Sequence, residues 1–317
     1  MTWGDGGERP GAGTFVHPGR QWGGRPPPPR MTSFSGHETF PLRYAWLAKS
    51  VEAAGADAEV FGDDRAIATF GVGRNMVRAI RHWGLAADVL EPVGRGQVAP
   101  TALGQAVFGP DGADPYCEDP ATAWLLHWLL CRTPDRATLW HYVFGHWPGG
   151  PLDLRRLRSA LDPWLADRDE APPGDATLKR DLQCLVATYA PRVRQDPEDA
   201  VASPLAALGL VADEGGLVFV REGRHAGLAP LVWAAAVVDY WDRTRPESET
   251  LAVADLLHGP GAPGRVFSVS QEGAFDLVAR AEGLASPPFR YADTAGLQQL
   301  YRVGADTPAS LLARHYA

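Results

Sequence analysis

Phe70-Gly71-Val72-Gly73-Arg74-Asn75-Met76-Val77-Arg78-Ala79-Ile80-Arg81-His82-Trp83-Gly84-Leu85 is the stretch whose reading decides the fold. At about 100° per residue, Arg74, Asn75, Arg78, Arg81 and His82 fall within an arc of roughly 120°. Met76, Val77, Ile80 and Trp83 fill the opposite arc. One face is therefore apolar and can pack on a core, while the other carries guanidinium groups and no carboxylate. A surface helix normally mixes its charge signs for support between neighbouring turns. A single-sign face needs another reason, and phosphate supplies one. The spacing predicts the turn and recognition helix of a helix-turn-helix, with Gly71 and Gly73 bracketing the turn. The bland alternative is that Arg74, Arg78 and Arg81 pair with acidic residues of the next domain. Asn75 is the one side chain on this face able to read adenine through two hydrogen bonds.

Outward from that helix the pattern continues. Asp64–Phe70 reads as a short helix capped by Asp63 or Asp64. Upstream, Phe34-Ser35-Gly36-His37-Glu38-Thr39-Phe40-Pro41 reads as a loop with Thr39 as N-cap and Pro41 in the first helical turn. It leads to a helix over about Leu42–Ala54 with Tyr44, Leu47, Ala48 and Val51 inward and Arg43 and Lys49 elsewhere on its surface. Downstream, Val89–Val93 and Val98–Thr101 flank Gly94-Arg95-Gly96-Gln97, which predicts two strands with Arg95 at the tip. Thr101–Phe108 closes the unit. Helix, helix, turn, helix, hairpin is a winged-helix order.

The length of 317 residues implies two or three domains. A net charge of −8 excludes a polycation, so nucleic-acid binding must come from a local patch. Cys117, Cys131 and Cys184 are few, odd in number and widely spaced, which argues against a disulfide framework and fits a reducing cytoplasm. No apolar run reaches the length of a membrane span, and the N-terminus has no signal-peptide core. Residues 1–30 are rich in Gly and Pro and read as a disordered tail, with Met31 as an alternative start and a polyproline ligand as the functional alternative.

The predicted fold class is mainly α with small β, that is α+β, in three units. Residues 31–110 form the winged helix. Residues 111–200 form a helical domain, with helices over Ala121–Cys131, Ala137–Trp147, Leu152–Trp164 and Leu178–Tyr189. Residues 201–317 form an α+β domain, with a second winged helix as one form it can take. There a hairpin joins Leu210–Ala212 to Leu217–Val220. Helices are predicted over Leu228–Trp241, Glu249–Leu257, Gln271–Glu282 and Pro308–Tyr316, and strands over Val266–Val269 and Phe289–Tyr291.

His37-Glu38 is the one place where a His directly adjoins a carboxylate. An imidazole can act as general acid or base and a carboxylate can hold a divalent metal. The alternative is a buried structural turn. Zinc motifs are absent: there is no HExxH, and His141 and His146, five apart, fall on different helix faces. Gly259-Pro260-Gly261-Ala262-Pro263-Gly264 matches a dinucleotide fingerprint only formally, because two prolines interrupt it. No GxxxxGK[ST] exists, which argues against a P-loop NTPase. The Trp124/Trp128 and Trp140/Trp147 sets read as core. Arg290, Asp293, Thr294 and Tyr301 read as a hydrogen-bonded corner.

Phe34-Ser35-Gly36-His37-Glu38-Thr39-Phe40 and Gly71-Val72-Gly73-Arg74-Asn75-Met76-Val77-Arg78 together resemble a bacterial family encoded beside DNA phosphorothioation genes, the SspB-like nicking components. Asp114-Pro115-Tyr116, Trp124–Trp128, Pro263–Phe267 and Asp293–Leu297 extend the likeness over roughly 34–316. The resemblance implies binding of double-stranded DNA and nicking of one strand within a sulfur-modification defence system. It also implies a cysteine desulfurase and a PAPS-reductase-like ATPase as partners. It does not say which residues cut, and no PD-(D/E)xK or HNH set is recognisable. The candidates are His37 and Glu38 for chemistry, and Arg43, Arg74, Asn75, Arg78, Arg81, His82 and Arg95 for DNA. Arg43 or a divalent Mg or Mn ion would neutralise the phosphate. The competing reading is a non-catalytic DNA-binding or regulator-like adaptor. A homodimer in which each protomer neutralises about three phosphates would give a salt slope near −5.

Overall fold

In the computed structural model, residues 32–62, 64–190 and 203–317 are described. The expected tail over 1–30, Met31 and the Asp63 cap lie outside them. The described chain is mainly helical with small antiparallel sheets. No described helix is long and apolar enough to cross a membrane.

The first helix, α1, runs Tyr44–Ala56 and buries Trp46, Leu47 and Val51. Its N-cap is Arg43, without a side-chain cap. Thr39 is not the cap: it sits at φ 69 in the preceding turn, where Phe40 N donates to His37 O. Helix α2 is Arg65–Phe70. Asp64 occupies its N-cap position but makes no cap bond, because its carboxylate accepts from Arg74 at 2.7 Å instead. Gly71 ends α2 in the left-handed region at φ 65, which a side chain would strain. Gly73 then opens α3, Arg74–Ala86. Val77, Ile80 and Trp83 of α3 are buried, and α3 packs on α1 and α2. Strands β1 (Leu90–Pro92) and β2 (Val98–Pro100) pair antiparallel as a short hairpin. Helix α4, Ala102–Phe108, follows, with Thr101 accepting from Gly104 N as N-cap.

Next come α5 (Pro120–Cys131), α6 (Thr138–Gly145), α7 (Leu154–Ala166) and α8 (Asp175–Tyr189). Every residue of α5 from Ala121 to Cys131 is buried. A helix apolar all round belongs in the middle of a core. Here α5 touches α6 and, further along, a 3-10 turn over Pro204–Leu208. His127 sits on it as a satisfied core histidine, 2.6 Å from the Tyr189 hydroxyl and 2.6 Å from Val266 O.

The last stretch opens with a hairpin of β3 (Val211–Glu214) and β4 (Leu217–Val220). It continues with α9 (Pro230–Thr244), β5 (Thr250–Ala252), α10 (Val253–His258) and α11 (Pro263–Val266). Then come α12 (Gln271–Glu282), β6 (Phe289–Thr294), β7 (Leu297–Arg302) and α13 (Pro308–Tyr316). The sheet order is β5-β7-β6, antiparallel throughout.

Two sequence expectations fail here. Glu249–Leu257 is not one helix, because Thr250–Ala252 pairs with Gln299–Tyr301 of β7 before α10 begins. Val266–Val269 is not a strand. Pro263 in the first turn of α11 starts a helical turn that carries Val266 inward, and Val269 keeps a single bridge to Gly223.

Candidate nucleic-acid interface

The exposed face of α3 carries Arg74, Asn75 and Arg78 into solvent. Arg74 and Arg78 have side chains 61% and 59% exposed. Each has one carboxylate beside it, Asp64 at 2.7 Å and Glu38 at 3.7 Å, and neither comes from the helical stretch after residue 110. Such exposed pairs cost little to exchange for phosphate. Arg81 is half-buried, and burial together with the Arg136 charge lowers its pKa. Arg95 is exposed at the hairpin tip, and the guanidinium carbon of Arg43 lies 5.4 Å from the Trp46 ring centroid.

His82 does not share that exposure. Its ring is turned inward against Gly36, where a Cβ would lie 2.3 Å from Nδ1. Burial, then the neighbouring His37 and Arg136, pushes its pKa down to about 3. Its Nε2 is buried without a hydrogen-bond partner. Glycine at 36 is thus required by close approach rather than by its own backbone angle.

The loop ahead of α1 crosses the seam between α3 and the helices after it. Ser33 and Thr138 exchange hydrogen bonds, Ser33 N donating to Thr138 Oγ1 at 2.7 Å. His37 packs between rings of Trp83 and Trp140, centroids 6.1 and 5.6 Å away. Its Nδ1 accepts from Thr39 N at 3.0 Å, and its Nε2 lies 3.2 Å from Asp181 Oδ1. Asp181, on α8, also accepts from Ser35 N at 3.0 Å and Ser35 Oγ at 3.2 Å. Both His37 and Asp181 are 2% exposed. Ser35, Glu38 and Thr39 all hold positive φ, at 62, 50 and 69°. Strained turns of this kind persist only where the surroundings over-determine them, and they cluster at functional sites.

His37 and Glu38 are therefore adjacent in sequence but face opposite ways. His37 points into the protein and Glu38 out to Arg78. Sequence reasoning missed Asp181 and Arg136. Asp181 had a signal: it occupies a core-facing position between Leu178 and Leu185 of α8, where a lone carboxylate demands a buried partner. Arg136, in the turn between α5 and α6, had none.

Away from this face, His141 and His146 do meet, their Nε2 atoms 3.0 Å apart. The helix-face argument fails because α6 ends at Gly145 and His146 leaves the helix at φ −133. No group of three His, Cys, Asp or Glu side chains among the described residues is arranged to hold a metal.

The model for a protein family of unknown function, DUF4007, matches residues 34–316. The chain belongs to the DUF4007 family. Two solved structures resemble it closely. One is a magnesium ion-bound SspB crystal structure, with a TM-score of 0.78, 29% identity, and coverage of 90% of this chain and 88% of that one. The other is an SspB crystal structure, with a TM-score of 0.77, 29% identity, and coverage of 90% and 86%. No curated protein matches. Magnesium takes oxygen ligands and often keeps most of its waters. In this DUF4007 chain the Asp181 oxygens accept from Ser35, which leaves Glu38 as the outward carboxylate of the loop, next to the Arg78 cation. These residues do not assemble a dedicated magnesium site.

Proposed function

We propose that this protein binds duplex DNA through a winged-helix unit within residues 31–110, as part of a bacterial DNA phosphorothioation system in which one strand is opened for sulfur incorporation. The observation that carries the binding reading is the α3 face. Arg74, Asn75 and Arg78 project into solvent from a helix whose other side is fully packed. Arg95 extends the same chemistry to the hairpin tip. Phosphate contacts would fix the position of the duplex, and Asn75 offers the base contact. The system-level role, with a cysteine desulfurase and a PAPS-reductase-like ATPase as partners, rests on the likeness to SspB.

Within the site we assign Glu38 as the catalytic carboxylate, able to take a proton from attacking water, and His37 as a positioning residue that sets the loop. A second reading, a binding module without chemistry, is favoured by the inward commitment of His37. Supercoiled plasmid incubated with the pure protein, with and without Mg²⁺ or Mn²⁺, separates the two. The nicking reading expects open-circular product, lost in Glu38→Gln while gel shift is retained. Product absent under every metal condition, with gel shift intact, establishes the binding module. The combined Arg74→Ala and Arg78→Ala variant is expected to abolish gel shift. Binding undiminished in that variant would remove the α3 reading.

A further inference from the structure

Trp140, near the start of α6, packs on Trp83 of α3, whereas Trp147 lies just past the other end of α6, at Gly145. An open cleft of about 390 Å³ is found there. Trp147, Pro148 and Gly149 form one wall. Arg155, Arg156 and Ser159, in the first two turns of α7, form the other. The volume is that of a small-molecule site. The turn that makes the first wall is held in place by hydrogen bonds. Arg265 Nη2 donates to Trp147 O at 2.6 Å, Trp147 Nε1 donates to Gly150 O at 3.2 Å, and Leu152 N donates to Val218 O at 2.7 Å. Gly149 and Gly150 both hold positive φ, at 101 and 83°. A Cβ at Gly150 would lie 2.9 Å from Arg156 Nη1, so this guanidinium rests against bare backbone.

The cations of the cleft are available to a ligand. Arg155 is exposed, and its guanidinium has no ion pair or hydrogen bond among the described residues. Arg156 faces one carboxylate, Asp153 Oδ2 at 3.5 Å, in an exposed pair. The other oxygen of that carboxylate caps α7, accepting from Arg156 N at 2.9 Å. An exposed pair of this kind contributes little, while a guanidinium fork meets phosphate oxygens two at a time. Beside the two forks stands an apolar wall of Trp147 and Pro148. A backbone diester carries one negative charge, whereas a phosphate monoester carries about −1.5 to −2 at pH 7 and matches two cations better. We propose that this cleft binds a phosphate monoester borne on a flat ring, that is a nucleotide. Arg155 and Arg156 take the phosphate, and Trp147 and Pro148 lie against the base. The proposal is independent of the duplex-binding reading. A free mononucleotide and the 5′-phosphate end of a DNA strand share this chemistry.

The test is calorimetric titration of the full chain with 5′-AMP. Arg155→Ala and Arg156→Ala are each expected to weaken binding by about tenfold. Ser159→Glu, which places a carboxylate in the cleft, should abolish it. All three side chains are exposed, so the melting temperature should stay near that of the wild type. Adenosine and inorganic phosphate should each bind at least about tenfold more weakly than AMP, because each offers half of the ligand. No binding of AMP to the wild type overturns the proposal. So does an affinity that survives the combined Arg155→Ala, Arg156→Ala variant, since the ligand then sits elsewhere. Inorganic phosphate bound as tightly as AMP leaves the ring without a role and overturns it too. A short single strand that binds more tightly than AMP, and loses that advantage when its 5′-phosphate is removed, assigns the cleft to a strand end. AMP bound as tightly as that strand, or more so, assigns it to a free nucleotide.

Discussion

His37 is committed to the interior: its Nδ1 accepts from the Thr39 amide, and its buried Nε2 faces Asp181 without a hydrogen bond. Neither nitrogen reaches solvent, so the ring is out of reach of an attacking water. Its contribution is to hold three residues of positive φ in a single turn. His37→Ala empties a buried space between Trp83 and Trp140 and unpairs the Thr39 amide, so it is expected to cost about 3 kcal/mol of stability. Urea unfolding measures it. Glu38→Gln, on a half-buried side chain at the protein's edge, should shift stability by no more than about 0.5 kcal/mol. Nicking lost in His37→Ala at unchanged stability would reverse these roles and make His37 the proton-transfer group. At this scale the sequence marked the loop more readily than the directions in which its side chains face. The run Ser35–Thr39 was legible as a loop of special chemistry. The opposed directions of His37 and Glu38 follow from packing against Trp83 and Trp140, partners distant in sequence.

The unit around α3 is closed by a tight backbone contact as well as by the buried Leu103, Val107 and Phe108 of α4. Gly104 on α4 lies so near the turn before β1 that an added Cβ would sit 2.1 Å from Val89 O. The same Val89 oxygen accepts from Thr101 N at 3.0 Å, so the backbone there cannot retreat without breaking a bond. Gly104→Ala is therefore expected to cost about 2–3 kcal/mol and to loosen the hairpin that carries Arg95. Amide exchange across Leu90–Pro92 would read it, and unchanged protection there would show that the hairpin is held from elsewhere. Elements with a regular period or an unbroken apolar run were readable in advance: α3 and α12 by helical spacing, α5 by the length of its apolar run after Asp119-Pro120. Elements decided by a distant partner were not. Val266-Phe267-Ser268-Val269 has the composition of a strand, and Pro263 with the surrounding helices overrides it. Thr250–Ala252 is a strand because β7 pairs with it, a fact no three-residue window contains.

Across the whole molecule, polar groups sunk in the core tie the parts together and make stability depend on acid. Arg132 bonds Asp88, just past α3, and Asp239 on α9, while Trp128 Nε1 donates to Asp239 at 3.0 Å. Four histidines lie in or against that interior, His127 and His141 buried, His82 and His146 half-buried. Burial holds His127 and His141 at a pKa of about 4, and His82 and His146 at about 3. In the unfolded chain each would titrate near the ordinary value of about 6.5. The folded form therefore refuses protons that the unfolded form accepts. The stability they support is complete above that ordinary value and drains away as pH falls toward the folded values. Each group contributes a slope of about 1.4 kcal/mol per pH unit inside that window. Acting together they remove several kcal/mol by pH 5, a large share of the stability of an ordinary domain. The melting temperature is thus expected to hold steady between pH 7 and 8 and to fall with growing steepness below about pH 6.5. His146→Gln, at the end of α6, should remove one proton from the slope. A melting temperature flat from pH 7 to pH 5 would mean that these imidazoles take up protons in the folded state, and that the interior opens to water where the packing shows it closed.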